Sequence, residues 1–488
     1  MKKIILISFL VFISIFSKAT ETKYLNAYFH YATYTTPDNN PYIETYLTIA
    51  GNTVIFNEPE NNNLQASIEI TMLFVQDSII KEFRKYNLKS PMVPDTIQEF
   101  PNFIDLQRIP LPNGIYDFEL QIKDNYNEEK IVFKHYDVIT INYQPEKINF
   151  SGIMLFESFE ITEQNNIFTK SGNDIVPFVS DFYPQTIEKI GFYTELYNVD
   201  KSIGNDEGFL LRYFIETYQS KKPINEFNFF EKQLAGNVNI LMKEFSIVEL
   251  PSGNYNLVIE ARNKQNDLLL TNKLFFQRSN PDVEFKYEDI AAIDIEETFA
   301  SKITNIDTIS EYIRCIRPIS DAKEMYYADN QLKKADLKLM QKYFYNFWEK
   351  ISKENPEQEW KNYLLQVNLI NRLYSTQIKK GYETDRGRVY LKYGTPNSLF
   401  ESKHEPSAYP YEIWHYYKID NQANKRFVFY NPQLVGNEYI LLHSDVNGEI
   451  TNSSWEYILN YRRQPYDHDR KEGIDHFGGK AKEQFKNY

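Results

Sequence analysis

Leu111-Pro112-Asn113-Gly114-Ile115-Tyr116 recurs about one domain length later as Leu250-Pro251-Ser252-Gly253-Asn254-Tyr255. In each copy a glycine permits a tight turn, and a tyrosine then opens an alternating apolar segment. Tyr116, Phe118, Leu120 and Ile122 share one side of the first segment, as Tyr255, Leu257, Ile259 and Ala261 do in the second. Period-two patterning of this kind suits a strand with one buried face. The repeat therefore confines the first half of the chain to two related β-domains, over residues 20–145 and 146–282.

The Leu-Pro-x-Gly-x-Tyr entry resembles the strand that carries the tyrosine corner of immunoglobulin-like and fibronectin-like sandwiches. That resemblance implies two immunoglobulin-like all-β sandwiches. Tyr116 and Tyr255 are then expected to bond to nearby backbone, in preference to contacting a ligand. Further strands are expected at Tyr42–Ile49, Ala66–Phe74, Lys130–His135, Ile190–Tyr197, Phe209–Tyr218, Asn237–Glu244 and Leu268–Phe276, each bounded by Asn, Asp, Pro or Gly.

Beyond Asp282 the period changes. Leu337, Met340, Phe344, Phe347, Trp348 and Ile351 follow helical spacing. A second helix is expected with Asn355 as N-cap, Pro356 at its first turn, and Trp360, Leu364, Val367, Ile370 or Asn371, Tyr374 and Ile378 as its stripe. Gly381, after Lys379 and Lys380, is expected to stop it. Residues 283–380 thus read as a helical connector, and 381–488 as a C-terminal α+β module. In that module Gly381 to Pro396 reads as loop, strand and turn, with Val389, Leu391 and Tyr393 alternating. Strands follow at Tyr411–Ile419, Arg426–Tyr430 and Glu438–Ser444. Asn447-Gly448 signals a hairpin, and a last helix capped by Asn452 runs to about Tyr461.

The first nineteen residues carry a different kind of information. Lys2 and Lys3 precede the apolar run Ile4–Phe16, and Ser17-Lys18-Ala19 places small residues at a cleavage site. This is the pattern of a secretory signal peptide. Its run is shorter than the ~20 residues that span a bilayer, and no later segment is long enough to do so. No cysteine stands directly after the run, so an exported protein of the periplasm or outer-membrane periphery is expected, and not a lipoprotein. Cleavage would remove Lys2, Lys3 and Lys18 and take the formal charge from −13 to −16. Such an acidic chain is poorly suited to nucleic acid. Its single cysteine, Cys315, excludes an intrachain disulfide.

The module's residues resemble the GWxTD domain, known from exported proteins of Bacteroidota and their relatives. Gly381-Tyr382-Glu383-Thr384-Asp385 matches the naming motif with Tyr for Trp. The following Arg386-Gly387-Arg388-Val389-Tyr390, the Tyr393-Gly394-x-Pro396 turn, the Tyr411–Tyr416 strand and the upstream Phe347-Trp348 also match. The resemblance covers roughly residues 330–460. It implies an envelope location and a fold, without an established activity.

Asp385, Arg386 and Arg388 are candidate binding residues, because an arginine fork suits a carboxylate and an aspartate accepts from hydroxyls. Glu412 and Trp414 join them as an acid and an aromatic on one strand face. The competing reading is structural: Thr384 or Asp385 caps a loop, and Arg386 pairs with an acid such as Glu412. No nucleophile elbow, phosphate loop or dinucleotide fingerprint is present. His404-Glu405 lacks a second histidine at helical spacing. His443-Ser444-Asp445 are neighbours on a strand and so face opposite ways. Cys315 reads as a buried thiol, and Asp467-His468-Asp469 with Asp475-His476 as a weak metal candidate. No cofactor or metal is expected. These observations favour a non-enzymatic binding or scaffold component with a protein or glycan partner. The alternative is a carbohydrate- or cell-wall-active enzyme using Asp385 and Glu412.

Overall fold

A computed structural model describes residues 25–60, 63–128, 132–283, 290, 293–405, 408–434, 436–460 and 479–486. The signal-like segment and the Asp467–His476 metal candidate lie outside these residues.

The first β unit packs two antiparallel sheets over one core. Ala27–Thr35, Pro41–Ile49 and Phe103–Pro110 form the smaller sheet. Asn63–Gln76 is the spine of the larger, flanked by Ile79–Lys89 and by Gly114–Asp124, which in turn pairs with Val132–Ile141. The core holds Ile43, Leu47 and Ile49 against Ile68, Ile70, Met72 and Phe74. Tyr116, Phe118, Leu120 and Ile122 all point into it, as their alternation requires.

The second unit repeats the plan. Lys189–Tyr197 pairs with Met154–Ile161, Asn149–Phe150 and Val238–Ser246 in one sheet. Gly208–Thr217, Gly253–Arg262, Leu268–Arg278 and Pro223–Leu234 build the other. The short helix α1 (Val199–Ile203) bridges strands. Both repeat tyrosines act on their own chain: Tyr116 Oη donates to the Pro112 carbonyl at 2.8 Å, and Tyr255 Oη to that of Pro251 at 3.0 Å. Each bond holds the Leu-Pro turn against the strand that follows it.

The two units meet through a second, smaller core of Ala32, Tyr34, Tyr46, Leu106, Met154, Phe156, Ile175 and Tyr193. This explains why Pro41–Ile49 is buried on both faces. Glu44 is sealed in this junction, 2.7 Å from Arg108 Nε and 3.1 Å from Lys170 Nζ, and it accepts from Tyr46 Oη at 2.6 Å. Lys170 also lies 3.4 Å above the Tyr34 ring. These partners supply inside the protein the hydrogen bonds that water would otherwise give the carboxylate.

Helices α2 (Ile306–Cys315), α3 (Ala322–Asn330), α4 (Leu337–Ile351) and α5 (Pro356–Tyr374) follow. Phe344 and Trp348 of α4 pack on Trp360 of α5, with ring centroids 4.9 and 5.5 Å apart. The expected helix to Gly381 ends earlier, at Tyr374, and Ile378 is 86% exposed. Gly381 begins a 3-10 turn instead. The expected strand at Val389–Tyr393 is also corrected: Asp385–Tyr393 is helix α6. Six alternating residues fit a helix face nearly as well as a strand, and the Thr384 cap decides for the helix.

The sheet Ser398–Ser402, Tyr411–Ile419, Gln422–Tyr430 and Ile440–Ser444 comes next. Helix α6 covers one face around Val389, Trp414, Tyr416 and Phe427. Helices α7 (Trp455–Asn460) and α8 (Ala481–Lys486) cover the other around Ile413, Val428 and Leu442. Phe485 of the C-terminal segment is buried against Trp455 and His443. Among the described residues no helix is long and apolar enough to cross a membrane.

Replacing Tyr116 or Tyr255 by Phe should lower stability by about 1 kcal/mol each, the worth of one hydrogen bond. Urea midpoints should fall with an unchanged denaturant slope, and an unaltered midpoint would remove the corner role.

Candidate functional site

The motif is built by close backbone approach. A Cβ on Gly381 would lie 2.1 Å from the Ile370 carbonyl oxygen of α5, and one on Gly387 would lie 1.8 Å from that of Gly381. Only glycine lets α5, the 3-10 turn and α6 touch in this way. Thr384 Oγ1 donates to the Gly381 carbonyl at 2.7 Å and accepts from the Gly387 N–H at 3.1 Å, so it closes the turn and caps α6. The buried Tyr382 donates through its hydroxyl to Glu311 of α2 at 3.1 Å. Burial, and then the Glu311 charge, raise its phenol pKa.

The candidate binding residues converge, but on one another. Arg386 Nη1 donates to Glu412 Oε1 at 2.5 Å, and the two side chains are 4% and 6% exposed. Arg386 Nη2 donates to the Asn437 carbonyl and to its side-chain oxygen, each at 2.6 Å. The guanidinium lies between the rings of Tyr374 and Tyr439, at 4.6 and 4.3 Å. Trp414 Nε1 donates to the remaining Glu412 oxygen at 2.9 Å. Asp385 is half-buried and accepts from the Leu441 N–H at 2.8 Å, which fastens α6 to the last strand. The aromatic-plus-acid face expected on Tyr411–Ile419 is therefore not open: Trp414 and Tyr416 lie under α6.

Arg388 faces a residue that the sequence did not single out. It grips Glu449 with two bonds of 3.0 and 2.7 Å, while Lys392 and Tyr393 reach the same carboxylate at 2.9 and 2.7 Å. Burial works against the Glu449 charge, but the Arg388 bonds, with Lys392, hold its pKa at about 2. Glu449 follows the Asn447-Gly448 turn, and that turn was its only signal. Asn437, Tyr374 and Tyr439 carried none.

The catalytic candidates are placed as structure. His443 Nδ1 accepts from the Asn452 N–H, and Ser444 Oγ donates to the Arg426 carbonyl. Glu405 accepts from Tyr411 Oη at 2.7 Å. Burial pushes the Cys315 thiol up to about 12, so it is not a thiolate near neutrality. Among the described residues no three His, Cys, Asp or Glu side chains are grouped to hold a metal.

A helix-flanked sheet stapled by a glycine-threonine-aspartate turn defines a structural class of module, and the comparisons give its family. Residues 283–463 match the family model of the GWxTD domain, and the match takes in the helices from 283 onward as well as the motif. No curated protein matches the sequence. Among solved structures, the fibronectin(III)-like modules of Clostridium thermocellum CbhA are 6% identical, with 51% of this chain and 90% of that chain covered and a TM-score of 0.15. A calcium-binding mutant of Bacteroides uniformis beta-glucuronidase 2 is 10% identical, with 50% and 27% covered and a TM-score of 0.17. Parabacteroides merdae beta-glucuronidase is 9% identical, with 48% and 28% covered and a TM-score of 0.17. This chain thus spans under a third of either glucuronidase.

Glu412→Gln should destabilise the protein by roughly 3–5 kcal/mol, because it leaves Arg386 buried without its counter-charge. Denaturant melts of the single and paired variants would measure this, and a loss below about 1 kcal/mol would mean that water reaches the pair. Glu449 also makes the fold acid-sensitive. Its pKa is lower in the fold than the ordinary 4.5, so its contribution is complete above that value and fades as pH falls toward 2. Glu449→Gln should remove roughly 3 kcal/mol at pH 7 and flatten the decline below pH 4.5.

Proposed function

We propose that this protein is an exported, non-catalytic component of the cell envelope, a scaffold whose β units bind a protein or glycan partner. In this reading the two N-terminal units are immunoglobulin-like sandwiches. The observation that carries the proposal is the internal engagement of the motif. Arg386, Glu412, Arg388, Asp385 and Thr384 each hold one element of the GWxTD domain to another. A carbohydrate-active enzyme using Asp385 and Glu412 would need both carboxylates at a substrate, and Glu412 is enclosed by Arg386 and Trp414.

Contacts between units support a scaffold role. Lys134 of the first β unit pairs with Glu456 of α7 at 3.0 Å, and Lys486 of α8 with Glu119 at 2.6 Å. Tyr218 of the second unit accepts from Gln422 Nε2 at 2.9 Å. The first β unit therefore touches the C-terminal helices α7 and α8, and the second touches a strand of the C-terminal sheet. The basic, apolar and small-residue order of the N-terminus supports export.

Expressed in its native host with its own N-terminus, the protein should appear in the envelope fraction with Thr20 as its first residue. Full-length protein retained in the cytoplasm would overturn export. Cross-linking in intact cells should join the β units to a defined envelope protein or glycan, and an Asp385→Asn variant should leave cell-wall and polysaccharide turnover unchanged. A turnover defect in a folded Asp385→Asn protein would favour the enzyme.

A further inference from the structure

One strand of the second β unit runs past the sheet that holds it. Met154–Ile161 pairs with Lys189–Tyr197 only over Met154, Leu155 and Phe156. Its register with Asn173–Pro177 shifts between Phe156 and Ser158, a bulge that re-aims the strand. From Glu157 to Ile161 every residue is exposed, and among the described residues Asn173–Pro177 is the one strand beside it. Thr169–Lys170 completes a short ribbon. The far side of this ribbon is tied to the first β unit: Lys170 Nζ lies 3.1 Å from Glu44, and Arg108 Nη2 donates to the Ile167 carbonyl at 3.0 Å. The side formed by Glu157–Ile161 is a free edge.

The ladder fixes which backbone groups face that edge. The Thr162 N–H donates to the Gly172 carbonyl at 3.0 Å. Thr162, and with it Glu160 and Ser158 at intervals of two, therefore turn their backbone groups toward Asn173–Pro177. Phe159 and Ile161 lie between them and turn their N–H and C=O groups outward. A row of such groups is a template for another strand. The edge strand Ile79–Lys89 of the first unit is blunted by Lys81, Arg84, Lys85 and Lys89 and by a bulge at Lys81. The Glu157–Ile161 edge holds no lysine, arginine or proline, and Ile161 at its end is 85% exposed.

Side-chain chemistry selects what such a strand must carry. Phe159 and Ile161 share one face of the strand, and Ser158 and Glu160 the other. A chain laid alongside sets apolar side chains opposite Phe159 and Ile161 and, between them, a cation opposite Glu160. Glu157, Glu160 and Glu163 are exposed and make no ion pair among the described residues. From 154 to 177 the one cation is Lys170, which is engaged by Glu44. A second copy of this chain would bring the same glutamates to the edge and is disfavoured by like charge.

We propose that the edge Glu157–Ile161 takes up, as an added strand, an extended segment of a partner protein in which basic and apolar residues alternate. Main-chain bonds to Phe159 and Ile161 give the affinity, and the glutamates select the basic sequence. The ribbon is already ordered by Lys170 and Arg108, so little of this chain has to be immobilised on binding. The inference rests on the scaffold reading above and names the surface and the chemistry of the partner.

Fluorescence anisotropy of a labelled peptide that alternates lysine and valine, titrated with the full chain, tests it. Saturable binding at one site is expected, weakening as salt rises. A peptide alternating glutamate and valine should not compete, and neither should the lysine–valine peptide with a proline at its centre. Ile161→Pro removes one outward N–H and no bond to Asn173–Pro177. Glu157→Gln, Glu160→Gln and Glu163→Gln together remove the charge. Each variant protein should bind at least tenfold more weakly while thermal melts confirm folding. Absence of saturable binding, or binding that Ile161→Pro leaves unchanged, would overturn the proposal. Self-association of the chain that Ile161→Pro abolishes would also overturn it, because the edge would then take a second copy. In intact cells, a cross-link to an envelope protein that survives Ile161→Pro would end the role of this edge and leave the scaffold reading standing.

Discussion

A guanidinium that is removed from water costs the fold several kcal/mol, about 3–5, unless a counter-charge and acceptors meet it inside the protein. The Arg386 partners come together only when three separate pieces of chain are in place. Glu412 comes from the second strand of the C-terminal sheet, Asn437 from the segment before its last strand, Tyr439 from the same segment, and Tyr374 from the end of α5. Helix α6 must also be seated, and it is seated by Gly387 against Gly381 and by the Thr384 cap. The pair is therefore a condition on the whole module more than a local bond. The motif's Gly, Thr and Asp make that one arrangement reachable.

The same logic recurs at the other junctions. Glu44 pairs with Arg108 and Tyr46 inside the first β unit, and docking of the second unit adds Lys170 to it. Phe485 and Lys486 of α8 reach the C-terminal sheet and the first unit together. The high aromatic content, 16% of the chain, fills these small cores and junctions without disulfides. The buried charge of Glu44 disfavours other registers of the junction between the β units, because a misplaced partner would strand it away from water.

Much of the β architecture was legible from alternation, because a strand with one wet face must repeat every two residues. Tyr116 through Ile122 and Tyr255 through Ala261 read directly as strands, and the repeated Leu-Pro-x-Gly-x-Tyr named the two hydroxyls that bond back to proline carbonyls. Pattern failed where two elements shared one signal. Val389, Leu391 and Tyr393 alternate, yet the same stretch is a capped helix. Gly381 looked like a helix stop because a C-terminal glycine is commonly conformational, whereas here it is small because Ile370 lies against it. The site was legible in part: the residues of the motif stood out by type, but which were exposed did not.

The sequence by itself determined the local preferences: two alternating β units with tyrosine entries, a helical middle marked by Trp348 and Trp360, and a motif rich in turn and charge chemistry. These follow from backbone and side-chain properties that act within a few residues. Only the tertiary structure decided that Arg386, Glu412, Arg388 and Glu449 are bonded to one another, and that both faces of strand Tyr411–Ile419 are covered. Burial and pairing between residues far apart in the chain depend on how its elements pack, and no local pattern encodes that distance.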